Sequence, residues 1–311
     1  MAEAEFDLIQ RYFAQHQPRH PATRLGIGDD CALLSVAAGH QLAVTTDTMV
    51  ENVHFFADVD PADLGHKLLA VNLSDLAAMG AEPFAVTLAL TLPAINHPWL
   101  QAFSESFMAL ARQHQVDLIG GDTTAGPLTL TVQAMGWVPE GQALLRSAAQ
   151  VGDLIYLSGA IGDAGLGLKI RQGLAVKDQE QALQAFNRPQ PQLATGLALR
   201  GIAHACIDIS DGLAADLGHI LQKSQVGARI DWERLPLSAS VSAYIQSSGD
   251  WQMPLIAGDD YQLCFTLPKS RQSSVPAGCV CIGEIEAQPG LRIFKQGISR
   301  QLEASGFEHF S

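Results

Sequence analysis

Aspartates recur in this sequence at one kind of place, beside Gly or Thr where an apolar run ends. Asp29 and Asp30 sit in GIGDD, Asp47 in VTTDT, and Asp122 in LIGGDTT. Asp208 and Asp211 follow in CIDISDG, and Asp259 and Asp260 in AGDDYQL. Taken singly, Asp beside Gly makes a turn and Asp before a helix caps it. Asp75 resists that reading. It stands in AVNLSDLAAMG, where the spacing predicts an apolar helix, and no Lys or Arg lies three or four residues away on either side. A carboxylate there is expected to be buried, and a buried carboxylate must be paired or bound to a metal.

A magnesium site accounts for these carboxylates together. Mg²⁺ takes oxygen ligands and is held by a few carboxylates, waters and substrate phosphates. Thr45 and Thr46, beside Asp47, can add a hydroxyl or carbonyl ligand. Calcium is the competing ion, but no EF-hand loop is present. The Walker A pattern and the protein-kinase motifs are also absent, so phosphate must be handled differently. Gly120 and Gly121 can bring backbone amides to a phosphate while Asp122 holds a metal. Arg146 in LLRSAAQVGD can reach a phosphate, and a surface role fits it equally well. GDAGLG at 162–167 lacks the dinucleotide-binding spacing and reads as a closely packed helix N-terminus.

The elements that must position these residues alternate between strand and helix. Residues 5–15 read as a helix with Phe6, Ile9 and Phe13 on one face. Strands are expected at 41–46, 84–92, 117–120 and 128–138, with helices at 61–80 and 97–113. Loop residues at 139–152 suggest a boundary between a domain at 1–140 and another at 150–311. The second half reads as strand and helix in turn, ending in a strand pair around CVCIGEI and LRIFKQG. The class is mixed α/β with two domains of similar size.

Composition narrows the partners. The 311 residues carry 32 acidic and 19 basic side chains, a formal net charge of −13, which argues against nucleic acid or an anionic membrane. An anionic small substrate remains compatible if metal ions mediate the contact. Hydrophobic residues at 47% supply a large core. No apolar stretch reaches the roughly 18 residues of a membrane span, and no secretory signal opens the chain. Cys31, Cys206, Cys264, Cys279 and Cys281 form no CxxC pair, so reduced core thiols in a cytosolic protein are expected.

The ordered set GIGDDCA, TTDTMVENVHF, NLSDLAAMGAEP, LIGGDTT, LLRSAAQVGD, IDISDGLAADL and GDDYQLCF resembles the thiamine-monophosphate kinase family. That family lies in the superfamily of aminoimidazole ribonucleotide synthetase. The resemblance implies ATP-dependent phosphorylation of thiamine monophosphate to thiamine diphosphate, with several Mg²⁺ ions. It also implies a homodimer whose β-rich N-terminal domains share a barrel-like interface, each followed by an α/β domain. By motif, the metal ligands would be Asp30, Thr45, Thr46, Asp47, Asp75, Asp122, Asp208 and Asp211. ATP contacts would include Gly121, Asp122, Arg146 and Ser210. His54, Asp259 and the terminal Phe307 would meet the thiamine substrate.

Two departures touch substrate recognition. The late motif usually reads GGEDYEL, so Asp259 and Gln262 each replace Glu here, and Phe307 stands where Tyr or Trp is common. The implied acceptor is already an anionic phosphate, so no general base and no catalytic side chain in that sense is expected. His54 then orients substrate. Another ATP-using member of the superfamily, or a non-catalytic nucleotide-binding module, are the alternatives.

Overall fold

The computed structural model describes every residue except 1–4, 16–19, 28–30, 303–305 and 307–311. The chain divides into two compact units, Met1–Leu76 with Ala81–Gly141, and Ala77–Gly80 with Gln142–Ser311. The fold is mixed α/β, as the alternation predicts.

The first unit runs α1 (Glu5–Tyr12), β1 (Thr23–Leu25), β2 (Leu33–Leu34), β3 (His40–Val50), α2 (Pro61–Ala78), β4 (Glu82–Leu92), α3 (His97–Gln113), β5 (Asp117–Ala125) and β6 (Thr129–Pro139). A four-stranded sheet has the order β3-β6-β4-β5. β6 is antiparallel to both neighbours, whereas β4 and β5 run parallel because α3 carries the chain back between them. α2 is apolar on most sides. Leu64, Leu68, Leu69, Leu73 and Leu76 are all at most 1% exposed, and each contributes about 2 kcal/mol of burial. α2 and α3 are capped by their own preceding residues. The Asp60 carboxylate accepts the Ala62 amide at 2.8 Å, and the Asn96 side chain accepts that of Trp99 at 3.2 Å.

The second unit runs β7 (Leu154–Leu157), α4 (Asp163–Arg171), α5 (Glu180–Asn187), α6 (Leu193–Ala198), β8 (Ala205–Asp208), α7 (Leu213–Ser224), β9 (Gly227–Asp231), α8 (Ala239–Ser248), α9 (Met253–Ile256), β10 (Leu263–Leu267), β11 (Val280–Glu286), β12 (Gly290–Lys295) and β13 (Ile298–Arg300). Its seven strands are ordered β13-β12-β9-β11-β7-β10-β8. Ile155, Leu157, Ile207, Leu217 and Ile220 sit in its main core cluster.

Three expectations need correction. CVCIGEI and LRIFKQG do not pair with each other, because β9 lies between β11 and β12, antiparallel to the first and parallel to the second. β3 and β5 run past their expected ends at 46 and 120, to Val50 and Ala125, since pairing with β6 and β4 outweighs the local strand preference. The thiols are not all core: Cys206 and Cys264 are buried, Cys279 and Cys281 are half-buried, and Cys31 is exposed. All five are free, and among the described residues no helix is long and apolar enough to cross a membrane.

Candidate active site

Strand alternation sorts the first cluster. Along β3, Ala43, Thr45, Asp47 and Met49 are more sheltered, while Val44, Thr46 and Thr48 between them are exposed. Thr45 donates its hydroxyl to a carboxylate oxygen of Asp75, so this face of β3 looks onto α2. Asp75 is partly accessible, not buried as its neighbours suggested. One face of α2 opens at Asp75, although Leu73, Ser74, Leu76 and Ala77 around it are buried. Asn72, fully buried one turn earlier, accepts the Asp47 amide at 3.2 Å and donates to the Leu68 carbonyl at 3.0 Å. Thr45, Asp47 and Asp75 therefore form one linked group. Sequence reasoning passed over Asn72, whose signal is its place three residues before Asp75 on the same helical face.

Thr46 and Asp122 lie elsewhere. Asp122 pairs in register with Ala89, Ala89 with Thr131, and Thr131 with Thr48, whose hydroxyl is 2.9 Å from that of Thr131. Asp122 thus shares the exposed face with Thr46 and Thr48, opposite to Asp47. β5 and β3 are the two edges of the sheet, three strand spacings or about 14 Å apart. Beside Asp122, Gly121 is forced by close approach, since a Cβ there would come within 1.9 Å of the Leu88 carbonyl oxygen.

His54 follows β3 in a tight turn, where Asn52 adopts φ +61° and the Val50 carbonyl accepts the amides of Val53 and His54. The Val50 N–H donates to His54 Nδ1 at 3.0 Å. Nδ1 is therefore an acceptor, and a neutral ring carries its proton on Nε2.

The second cluster surrounds the turn from β8 to α7. Asp208 ends β8, is buried, and stands in register with Leu263. Ser210 and Asp211 are partly exposed in the turn. The segment 258–262 is stitched alongside: Asp259 and Tyr261 donate their amides to the Ser210 and Ile209 carbonyls at 2.9 and 2.8 Å, and Ile209 donates to Gln262 at 2.8 Å. Asp259 and Tyr261 both take left-handed conformations, φ +66° and +47°, and the Tyr261 hydroxyl donates to the Asp259 carboxylate at 3.0 Å. Two strained non-glycine residues in one segment are held there by these bonds. Gln262 accepts the Ser158 hydroxyl at 2.7 Å. Arg146 is exposed in the same unit, and its carbonyl accepts the Ser224 hydroxyl at 3.0 Å.

The carboxylates of Asp260 and Asp216 turn onto backbone amides at the starts of helices. Asp260 accepts the Gly162 N–H with both oxygens at 2.9 Å, capping α4, and burial pushes its carboxyl well up. Asp216 accepts amides of the 210–212 turn. Burial first, and the charge of Asp211 second, push the Asp216 carboxyl up to about 7, against the pull of those amides. Asp163, at the start of α4, accepts the Ser238 hydroxyl at 2.6 Å and is likewise raised by burial. The GDAGLG segment is thus a helix N-terminus with a remote cap. Asp30 and Phe307 lie outside the described residues.

Among the described residues, no three His, Cys, Asp or Glu side chains converge closely enough to hold an ion unaided. The donors of the first cluster are nonetheless all oxygens, and Asp75 is partly accessible. That set suits magnesium, which keeps several waters and completes its shell with substrate phosphates.

Comparison with known proteins agrees with the motifs. Residues 28–138 match the family described as AIR synthase related protein, N-terminal domain, and residues 150–295 match its C-terminal domain. The thiamine-monophosphate kinase of Salmonella typhimurium is 45% identical over 100% of this chain and 99% of its own length. The crystal structure of thiamine-monophosphate kinase from Stenotrophomonas maltophilia K279a superposes with a TM-score of 0.86 at 44% identity, covering 93% of this chain and 96% of that one. A solved structure of AaThiL complexed with AMPPCP and TMP gives a TM-score of 0.80 at 28% identity, covering 89% of each chain. This chain belongs to the AIR synthase related family and, within it, to the thiamine-monophosphate kinases.

Proposed function

We propose that this protein transfers the γ-phosphoryl group of ATP to thiamine monophosphate, giving thiamine diphosphate and ADP. The observation that carries the reading is the linked group Thr45, Asp47 and Asp75, set in a chain 45% identical to a thiamine-monophosphate kinase. The relative solved with an ATP analogue and TMP supports the same pair of substrates.

The chemical obstacle is charge. Like unit charges near 4 Å repel by about 1 kcal/mol in water and about 4 kcal/mol at an effective dielectric of 20. Bound magnesium ions would supply neutralisation of that repulsion and alignment for in-line transfer. Asp30, Thr45, Thr46, Asp47, Asp75, Asp122, Asp208 and Asp211 are the residues that would hold them. The acceptor oxygen is already anionic, so no side chain need remove a proton. Gly121, Arg146 and Ser210 contact ATP in this reading. His54, with Nε2–H as donor, orients thiamine monophosphate, and Asp259, held by Tyr261, meets it with Phe307.

The protein acts as a cytoplasmic homodimer in this reading, without nucleic acid or membrane partners. Leu42 and Val44 are 44% and 52% exposed on the open face of β3, and a second copy would cover them. Two four-stranded sheets closing into one barrel about a two-fold along its axis would set β5 of one copy beside β3 of the other. That closure brings the partner's Asp122 to the edge of β3 on the face that carries Thr46, which Asp122 of the same copy does not approach. The N-terminal domain, 1–140, then carries ATP and metal binding and dimerisation, and 150–311 is the α/β domain that follows it.

The test is product separation after incubation with ATP, Mg²⁺ and thiamine monophosphate, with and without EDTA. Metal-dependent thiamine diphosphate with matching ADP is the expected result. Intact ATP under the same conditions would overturn the reading.

A further inference from the structure

Asp208 ends β8, and Ser210 and Asp211 of the proposed site lie in the turn that leads from it to α7; the backbone of that turn is governed by a side chain outside the proposed set. Asp216 lies in the first turn of α7 and is 2% exposed. Helical side chains lean back towards the N-terminus, which brings this carboxylate over the preceding turn. One of its oxygens accepts three consecutive amides, those of Ser210, Asp211 and Gly212, at 3.0, 3.1 and 3.2 Å. Three successive N–H groups converging on one point form an anion-binding nest, and here the chain's own carboxylate fills it. Gly212 makes the nest possible. Its φ of +116° is one that L side chains rarely adopt, and a Cβ there would lie within 2.8 Å of the Ile256 carbonyl carbon. As the residue preceding α7, Gly212 has no side chain to cap the helix. The opposite side of the turn is fixed by the Ser210 and Ile209 carbonyls, which accept the amides of Asp259 and Tyr261.

We infer that Asp216 is a positioning residue: by occupying the 210–212 nest it sets the directions in which Ser210 and Asp211 present their side chains. Two consequences follow from the geometry. The turn amides are already bonded, so phosphate is met at this turn by side chains and by ions they hold, not by a backbone cradle. The turn also keeps its shape before any ligand arrives, because its restraint is internal. The functional half of this inference rests on the proposed magnesium and ATP roles of the turn. The structural half does not.

The experiment compares Asp216→Ala and Asp216→Asn with the wild type. Amide hydrogen exchange is measured on the full-length metal-free protein, and steady-state kinetics are measured as Mg²⁺ is varied. In Asp216→Ala the amides of 210–212 exchange roughly tenfold faster or more, as expected when their bonds to this side chain are lost, while those of β7 and β10 keep their rates. The Mg²⁺ concentration for half-maximal rate rises by a similar factor, and KM for thiamine monophosphate stays within about twofold. Asp216→Asn keeps an acceptor oxygen without the charge and gives about a threefold change in both readouts, a partial rescue.

Wild-type exchange at 210–212 in Asp216→Ala, or faster exchange spread evenly over the unit, would overturn the inference. If Asp216→Ala does not fold, Asp216→Asn decides, and wild-type exchange with wild-type Mg²⁺ dependence would overturn it. Asp211→Asn separates the two readings. Unchanged turnover in that variant removes the proposed metal role of the turn, while the exchange comparison still reports whether Asp216 holds it.

Discussion

Two helices of each unit that flank the candidate site residues or their strands are started in different ways. In the first, α2 and α3 are capped by the side chains directly before them, Asp60 and Asn96. Among its described residues, the carboxylates proposed as metal ligands, Asp47, Asp75 and Asp122, are left at least partly accessible on regular elements. In the second, α4 and α7 begin after Gly162 and Gly212, which have no side chain to offer. Their amides are bonded instead by Asp260, 98 residues from Gly162 in sequence, and by Asp216 within α7 itself. An aspartate beside glycine is therefore not evidence of a ligand until the orphan amides nearby have been accounted for. Where a helix starts on glycine, a carboxylate must be spent on the backbone before one is available for chemistry.

The largest expected effect falls on a carboxylate that is not consumed in this way. Asp75→Asn should lower kcat roughly a thousandfold or more, the scale of several kcal/mol of metal-assisted charge stabilisation, while leaving the fold intact. Asn keeps an acceptor for the Thr45 hydroxyl, so circular dichroism and the melting temperature should stay close to wild type. Wild-type turnover in this variant would remove Asp75 from the site and break the contrast between the two units.

A pH titration sharpens the contrast from the other side. The Asp216 carboxyl is pushed from an ordinary 3.8 up to about 7 when folded, so the native state binds this proton more tightly than the unfolded chain. Stability from this group is therefore full below about pH 4 and declines as pH rises to about 7, by a few kcal/mol for the metal-free protein. Asp163 and Asp260, raised by burial, add slopes of the same sign. The informative quantity is the difference between wild type and Asp216→Asn in denaturant unfolding at pH 5 and pH 8. Asp216→Asn should flatten the decline, and equal slopes would show that Asp216 stays ionised throughout.

The remote and local caps can also be compared directly. Asp260→Ala leaves the start of α4 without its acceptor and should cost about 1–3 kcal/mol, the penalty for an unsatisfied buried amide. Asp60→Ala, at an exposed cap, should cost about 1 kcal/mol, because water can replace the carboxylate. Denaturant midpoints measure both, and equal losses would show that the remote cap has no special weight.

These contrasts also mark how far the site was legible in the sequence. Asp75 stood out because a carboxylate in an apolar helix demands a partner, and Thr45 proves to be one. The exposure of Asp75 was not legible, since it depends on what covers one face of α2. Local pattern likewise placed β3, β4 and β6, yet could not place Asp122 on the far edge of the sheet, because strand order is decided by pairings across many residues. The insertion of β9 between β11 and β12 escaped for the same reason. Asp216 and Asp260 have the same Gly-rich neighbourhoods as the site aspartates, and only the hydrogen bonds of the turns and caps tell them apart.

The smallest effect concerns the departure from the family pattern at Gln262. Its side-chain oxygen accepts the Ser158 hydroxyl at 2.7 Å, and the same hydroxyl oxygen accepts the Leu263 amide at 2.8 Å, which joins the end of β7 to the start of β10. A carboxylate at this position can accept the same hydroxyl. Gln262→Glu should then change stability by less than about 1 kcal/mol and leave KM for thiamine monophosphate within about twofold. Asp259, whose carboxylate accepts the Tyr261 hydroxyl, is instead the residue of this segment that faces substrate in the proposed reading. A large rise or fall of KM in Gln262→Glu would move Gln262 from the packing of β7 and β10 into substrate recognition. It would also make this unit's polar side chains less sharply divided between backbone and ligand than the aspartates suggest.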